Sequence, residues 1–143
     1  MIRQLTKLED LNTLIQHTIC AAIGIEFTEI GSDFISGKMP VNDRTRQPAG
    51  ILHGGASVVL AETLGSIGSY LILDDTHYGV GLEINANHVK SVKEGYVFGK
   101  AQIIHCGKKT HIWEIRITNQ DGGLVCISRL TVAVLEKTKS DKA

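Results

Sequence analysis

The 143-residue sequence has few of the features that would commit it to a large class of protein. Cysteine is scarce: Cys20, Cys106 and Cys126 are odd in number and scattered, with no C-x-x-C pair. That excludes a disulfide frame, gives no thiolate zinc motif, and fits idle or packed thiols in a reducing cytosol. The histidines at 17, 53, 77, 88, 105 and 111 show no H-E-x-x-H or other tight ligand spacing, so no metal is expected. An excess of one charge is also missing. Lys and Arg total 15, as do Asp and Glu, which leaves no electrostatic footprint for nucleic acid or an anionic membrane. No helix-turn-helix, zinc-finger or RNP pattern occurs, and no G-x-S-x-G elbow of a serine hydrolase. Met1 to Leu5 lack the apolar run of a signal peptide. A cytoplasmic protein without nucleic-acid or membrane partners is the expectation.

The length suits one domain, residues 1–143, with a modest core. Lys7 to Ile19 reads as a short amphipathic helix with Thr6 as N-cap and Glu9 completing a capping box, within an N-terminal helical segment 1–23. Gly24–Ile30 and Asp33–Val41 read as strands around a Gly31-Ser32 turn, with Ile35, Met39 and Val41 on one face. A polar loop, Asn42 to Gly50, follows Pro40 and contains Pro48. Gly79 to Val89 alternates, with Val80, Leu82, Ile84 and Ala86 on one face. Tyr96–Cys106, Lys109–Thr118 and Leu124–Leu135 complete the strands, the last two joined by the turn signal Asn119-Gln120-Asp121-Gly122-Gly123. The charged tail, residues 136–143, is expected to fray. Mostly short turns favour an antiparallel sheet, and one long helix must lie across it, which is an α+β layout.

That helix is Ile51 to Leu73. At 3.6 residues per turn, Ala56, Leu60, Leu64, Ile67 and Leu71 form a core stripe, and Gly55, Glu62, Ser66 and Ser69 form the opposite one. The helix is long enough to suggest a membrane span, but Glu62 and its glycines argue against that. Glu62 has no basic residue in the helix to pair with. It is either the lone polar residue of an exposed face or a carboxylate held in a cleft for chemistry. No Ser, Thr, Asp or Asn immediately precedes the helix as a cap. The amides behind His53-Gly54-Gly55 are then free for water, a loop or an acyl oxygen gaining negative charge.

Gln47, His53-Gly54-Gly55, Glu62 and Ser66 make the pattern Q-x5-H-G-G-x6-E-x3-S, and Gly81-Leu82-Glu83-Ile84-Asn85-Ala86-Asn87-His88-Val89 follows. From about Gly24 to Leu135 the chain resembles the hotdog-fold acyl-CoA thioesterases. Within them it is most similar to the branch acting on aromatic acyl thioesters, which includes 1,4-dihydroxy-2-naphthoyl-CoA hydrolases and enterobactin proofreading thioesterases. The resemblance implies a curved antiparallel sheet of about six strands around one long central helix. It implies catalytic roles for Glu62 (general base or nucleophile), Gln47, His53, Gly54 (an amide polarising the carbonyl) and Ser66. Gly81, His88, Val89, Lys90, Ser91, Gly107, Lys108 and Lys109 would contact substrate or coenzyme A, and lysines there could pair with its phosphates. The alternative for these lysines is an ordinary solvated turn; for His88, a buried hydrogen-bonded histidine; for Ser66, a small residue admitting a neighbouring element.

Gly54 and Glu62 lie eight residues apart, roughly 12 Å along one helix. Both must come within about 3 Å of one thioester. Two antiparallel copies of the helix could achieve this, so a site shared between subunits is expected. The family's assemblies imply a homotetramer built as a dimer of dimers. The expected substrate is an aryl acyl-CoA or an aryl-loaded carrier protein, with no cofactor. A hydratase or dehydratase using His53 and Glu62, and a non-catalytic acyl-CoA sensor, are the rival readings.

Overall fold

In β2 (Phe34–Val41) every second side chain is buried, and Ile35, Met39 and Val41 are at most 3% exposed, as the alternation requires. The computed structural model describes residue 2 and residues 6–138. The other elements are α1 (Leu8–Leu14), α2 (Ile19–Ala22), β1 (Glu26–Ile30), α3 (Gly54–Ile72), β3 (His77–His88), β4 (Gly95–Cys106), β5 (Thr110–Thr118) and β6 (Leu124–Glu136). The strands form one six-stranded sheet in the order β1-β2-β4-β5-β6-β3, and every neighbouring pair is antiparallel. Helix α3 packs across five of its strands, β2 to β6. This is the α+β hotdog architecture expected from the sequence.

The N-terminal expectation needs correction. One continuous helix is replaced by two short ones, separated where His17 takes φ 63° and Thr18 caps the second through the Cys20 N–H. The first is capped at Lys7 rather than Thr6, and Asp10, not Glu9, accepts from the Lys7 N–H. The beginning of the N-terminal helical segment (residues 1 and 3–5) and the end of the charged tail (residues 139–143) lie outside the described residues. The strand ending the chain reaches Glu136, and the Lys137 N–H bonds the Thr76 carbonyl, so these first tail residues are tied down.

The seat of α3 also differs from the projected stripe. Its buried residues are Ser57, Leu60, Ala61, Leu64, Gly65, Gly68, Ser69 and Leu71, while Ala56 and Ile67 are only half-buried. Ser69, assigned by projection to the outer face, is fully buried. The reason is Trp113 on β5. Its indole lies so close to α3 that a Cβ at Gly68 would stand 2.5 Å from Trp113 Cη2. Its Nε1–H donates to Ser69 Oγ at 2.8 Å, and His111 Nδ1 lies 3.1 Å from the same oxygen. A hydroxyl was needed at that position because a buried indole N–H without an acceptor is costly. The long apolar helix is therefore a core helix seated on glycines.

In β3 the alternation reverses phase. A register shift between Gly81 and Glu83 inserts one extra residue against β6. Before it, Gly79 and Gly81 face α3, since a Cβ at each would meet Ser69 or Glu62. After it, half-buried Ile84 and Ala86 pack on the core. Val80 and Leu82 are 42% and 63% exposed, so the single apolar face read from the sequence is not formed.

Two outcomes follow. Gly68→Ala should destabilise the fold by about 1–3 kcal/mol in urea titration, because overpacking against a fixed indole outweighs the helix-propensity gain. Burial pushes the His111 imidazole below its ordinary value, with His105 adding repulsion. The unfolded chain then binds the proton more tightly, so this contribution is present above the ordinary imidazole range and is lost as pH falls through it. The stability slope between about pH 7 and pH 5 should be shallower in His111→Gln than in wild type.

Candidate active site at the start of the central helix

The first turn of α3 is almost fully hydrogen-bonded. His53 is its N-cap, in extended backbone, and its Nδ1 accepts from the Gly55 N–H at 2.8 Å. The N–H groups of Ala56 and Ser57 donate to the His53 carbonyl at 3.0 and 3.3 Å. The expectation of an uncapped start is thus corrected: histidine fills a role more often taken by Ser, Thr, Asp or Asn. Of the amides in this turn, only that of Gly54 has no partner among the described residues. It stands at the positive end of a 19-residue helix.

Gln47, Gly54, His88, Val89, Lys90 and Ser91 line one pocket of about 370 Å³ beside this amide. The loop before α3 delivers Gln47. Its Oε1 accepts from the Ala49 N–H at 2.6 Å, and its own N–H donates to the Ile51 carbonyl at 2.8 Å, which leaves the NH2 end as an uncommitted donor. The end of β3 delivers His88, which is exposed rather than buried. Its ring covers Gly54 so closely that a Cβ there would sit 2.7 Å from Nε2. Ser57, absent from the residues expected at the site, also lines this pocket and is 1% exposed. Its offset of three from Gly54, one helical turn, was the available signal.

Glu62 is not among the residues lining that pocket. It lies exposed two turns further along α3, and its carboxylate makes no hydrogen bond or ion pair among the described residues. It faces Gly81, where a Cβ would stand 3.0 Å from Oε1. Glycine at this bulged position gives the carboxylate its room. Ser66, one turn on, is half-buried. Because β3 ends the sheet, Glu62 and Gly81 lie beside a free strand edge.

Gly107, Lys108 and Lys109 are elsewhere in the chain. They line a pocket of about 850 Å³ with Ile72, Leu73, Val134 and Leu135, at the C-terminal end of α3. That helix is about 28 Å long, so the two lysine groups lie at opposite ends of it. Asp74 stands at the same pocket, its carboxyl held far below the usual range by hydrogen bonds from Thr76 and by His77.

A sequence profile of the thioesterase superfamily matches residues 49–126. The chain is 48% identical over 128 residues to the 1,4-dihydroxy-2-naphthoyl-CoA hydrolase of Escherichia coli, covering 90% of this chain and 94% of that protein. It is 46% identical over 128 residues to a proofreading thioesterase of Cronobacter turicensis, covering 90% and 93%. A crystal structure of a mutant thioesterase from Pseudomonas aeruginosa superposes with a TM-score of 0.93 at 47% identity, covering 95% of this chain and 99% of that one.

Proposed function

The chain belongs to the thioesterase superfamily, and from that premise we propose that it hydrolyses an aromatic acyl-CoA of the hydroxynaphthoyl kind to the free acid and coenzyme A. The observation that carries the reading is the Gly54 amide, alone in its turn without a partner among the described residues, at the head of a helix whose sole carboxylate, Glu62, has no partner among them either. An amide at a helix start is suited to a carbonyl oxygen that gains negative charge in the transition state. A free carboxylate is suited to taking a proton from water, or to attacking the carbonyl itself. Water adds to the carbonyl carbon, the carbon–sulfur bond breaks, and the proton taken from water passes to the leaving thiolate. The Gln47 NH2 group is a second donor for the carbonyl or the water. Ser66, one turn from Glu62, is placed to hold the carboxylate or its water. No cofactor is needed for this chemistry.

The aromatic class rests on the relative named for such a thioester, the 1,4-dihydroxy-2-naphthoyl-CoA hydrolase. The finer reading of the site is that it is shared. Within one chain, Gly54 and Glu62 are roughly 12 Å apart along α3, too far to grip one thioester. Glu62 lies beside the free edge of β3, where Val80 and Leu82 are exposed. A second copy paired along that edge would bring its own Glu62 toward Gly54, and two such dimers would make the tetramer. Lys90 and Ser91 of one subunit, with Lys108 and Lys109 supplied by another, would then hold the phosphates of coenzyme A.

Glu62→Ala should lower turnover of a hydroxynaphthoyl-CoA by about three orders of magnitude or more with the fold intact, and Gln47→Ala by less, read by thiol release. Near-normal turnover by Glu62→Ala would refute the role given to it. Mixing inactive Glu62→Ala subunits with inactive Gly54→Pro subunits should restore activity if the site is shared. Proline suits the first helical position and removes the unpaired N–H, and its ring also displaces the His88 imidazole of the same chain, which the shared-site argument leaves on the inactive side. A mixture that exchanges subunits yet stays inactive would rule the shared site out.

A further inference from the structure

His53 stands next to the reacting amide, and the simple expectation is that its imidazole touches the substrate. The geometry points elsewhere. Nδ1 is already occupied as the acceptor for the Gly55 N–H at 2.8 Å. The ring lies on the flank of α3 with Ile19, Arg44, Ala56 and Val59, and is not among the residues lining the pocket of Gln47 and Gly54. The imidazole over Gly54 belongs to His88, whose Nε2 would be 2.7 Å from a Cβ built there.

We propose that His53 is a positioning residue, whose task is to leave one amide, and only one, open at the helix start. This rests on the reading that the Gly54 N–H polarises the carbonyl. A helix start presents several unpaired N–H groups, and each competes for water or for a ligand oxygen. The His53 carbonyl takes those of Ala56 and Ser57, and its ring takes that of Gly55. Two consecutive glycines would otherwise fray readily, since glycine loses the most backbone freedom on ordering. With the ring bond in place, the Gly54 N–H is held in one direction before the thioester arrives. A donor fixed in advance stabilises a developing oxyanion without reorganising during the reaction. The same bond settles the ring's protonation: Nδ1 is an acceptor, so the proton of the neutral imidazole is on Nε2.

The test is a cap-replacement series. His53→Ala, which cannot cap, should lower kcat about tenfold or more with little change in KM. His53→Asn and His53→Ser, both strong helix caps, should recover most of that loss. Nitrogen-15 NMR of the wild-type imidazole should show Nε2 protonated and Nδ1 bare. Asn and Ser variants that fold yet turn over as poorly as the Ala variant would overturn the proposal, because the ring itself would then be required. An Nδ1-protonated ring would overturn it too. The role of the Gly54 amide is read separately: Gly54→Pro retaining full turnover would refute that role, whatever the His53 tautomer.

Discussion

The close approach of α3 to the sheet is the constraint on which the molecule depends. A tryptophan lies beneath a helix, and the helix can come down onto it only because Gly68 has no side chain there, while Gly65 leaves the same room for Leu130 of β6. The indole N–H must then find an acceptor inside the core, and Ser69 supplies it. This contact sets the rotation of the helix about its axis. Once Gly68 and Ser69 point at β5, Glu62 is turned toward β3 and Ser66 stays on the accessible side. Packing in the dry interior thus aims a carboxylate with no hydrogen bond of its own to hold it.

The helix start is set by different means. Its direction comes from the same packing, but its chemistry comes from its own hydrogen bonds. Among the described residues every first-turn donor but one is paired, and the pocket of Gln47 and His88 lies beside the exception. A carboxylate and an amide left without partners among the described residues are each taken up by water until a substrate arrives to use them. Their coexistence on one helix is a stronger argument for catalysis than either alone. The membership of the chain in the thioesterase superfamily supplies that arrival.

Much of this was legible in the sequence, for reasons that can be named. The strands of the sheet and the long helix follow from periodicity and turn residues, and β2 and the Asn119–Gly123 turn formed as read. Residues such as Gln47, Gly54 and Glu62 stood out because their spacing is specific. What escaped depends on partners far away in the chain. Ser69 looks like an outward polar residue until Trp113, 44 positions later, is placed against it. The phase reversal of β3 depends on its pairing with β6, which local alternation does not encode. The histidine cap escaped because histidine is not among the residues usually read as caps.

The extra residue in β3 divides that strand into two segments that answer to different masters. Upstream, Gly79 and Gly81 keep space for the middle of the helix; downstream, Ile84, Ala86 and His88 serve its beginning. A lineage could therefore alter side chains in one segment without disturbing the other. It could not lose a single residue at the junction. Straightening the strand by one position would exchange its faces on one side of the cut, turning His88 outward or driving Val80 and Leu82 against Glu62. Divergence among proteins built this way is accordingly open to substitution along the strand and closed to a change of its length.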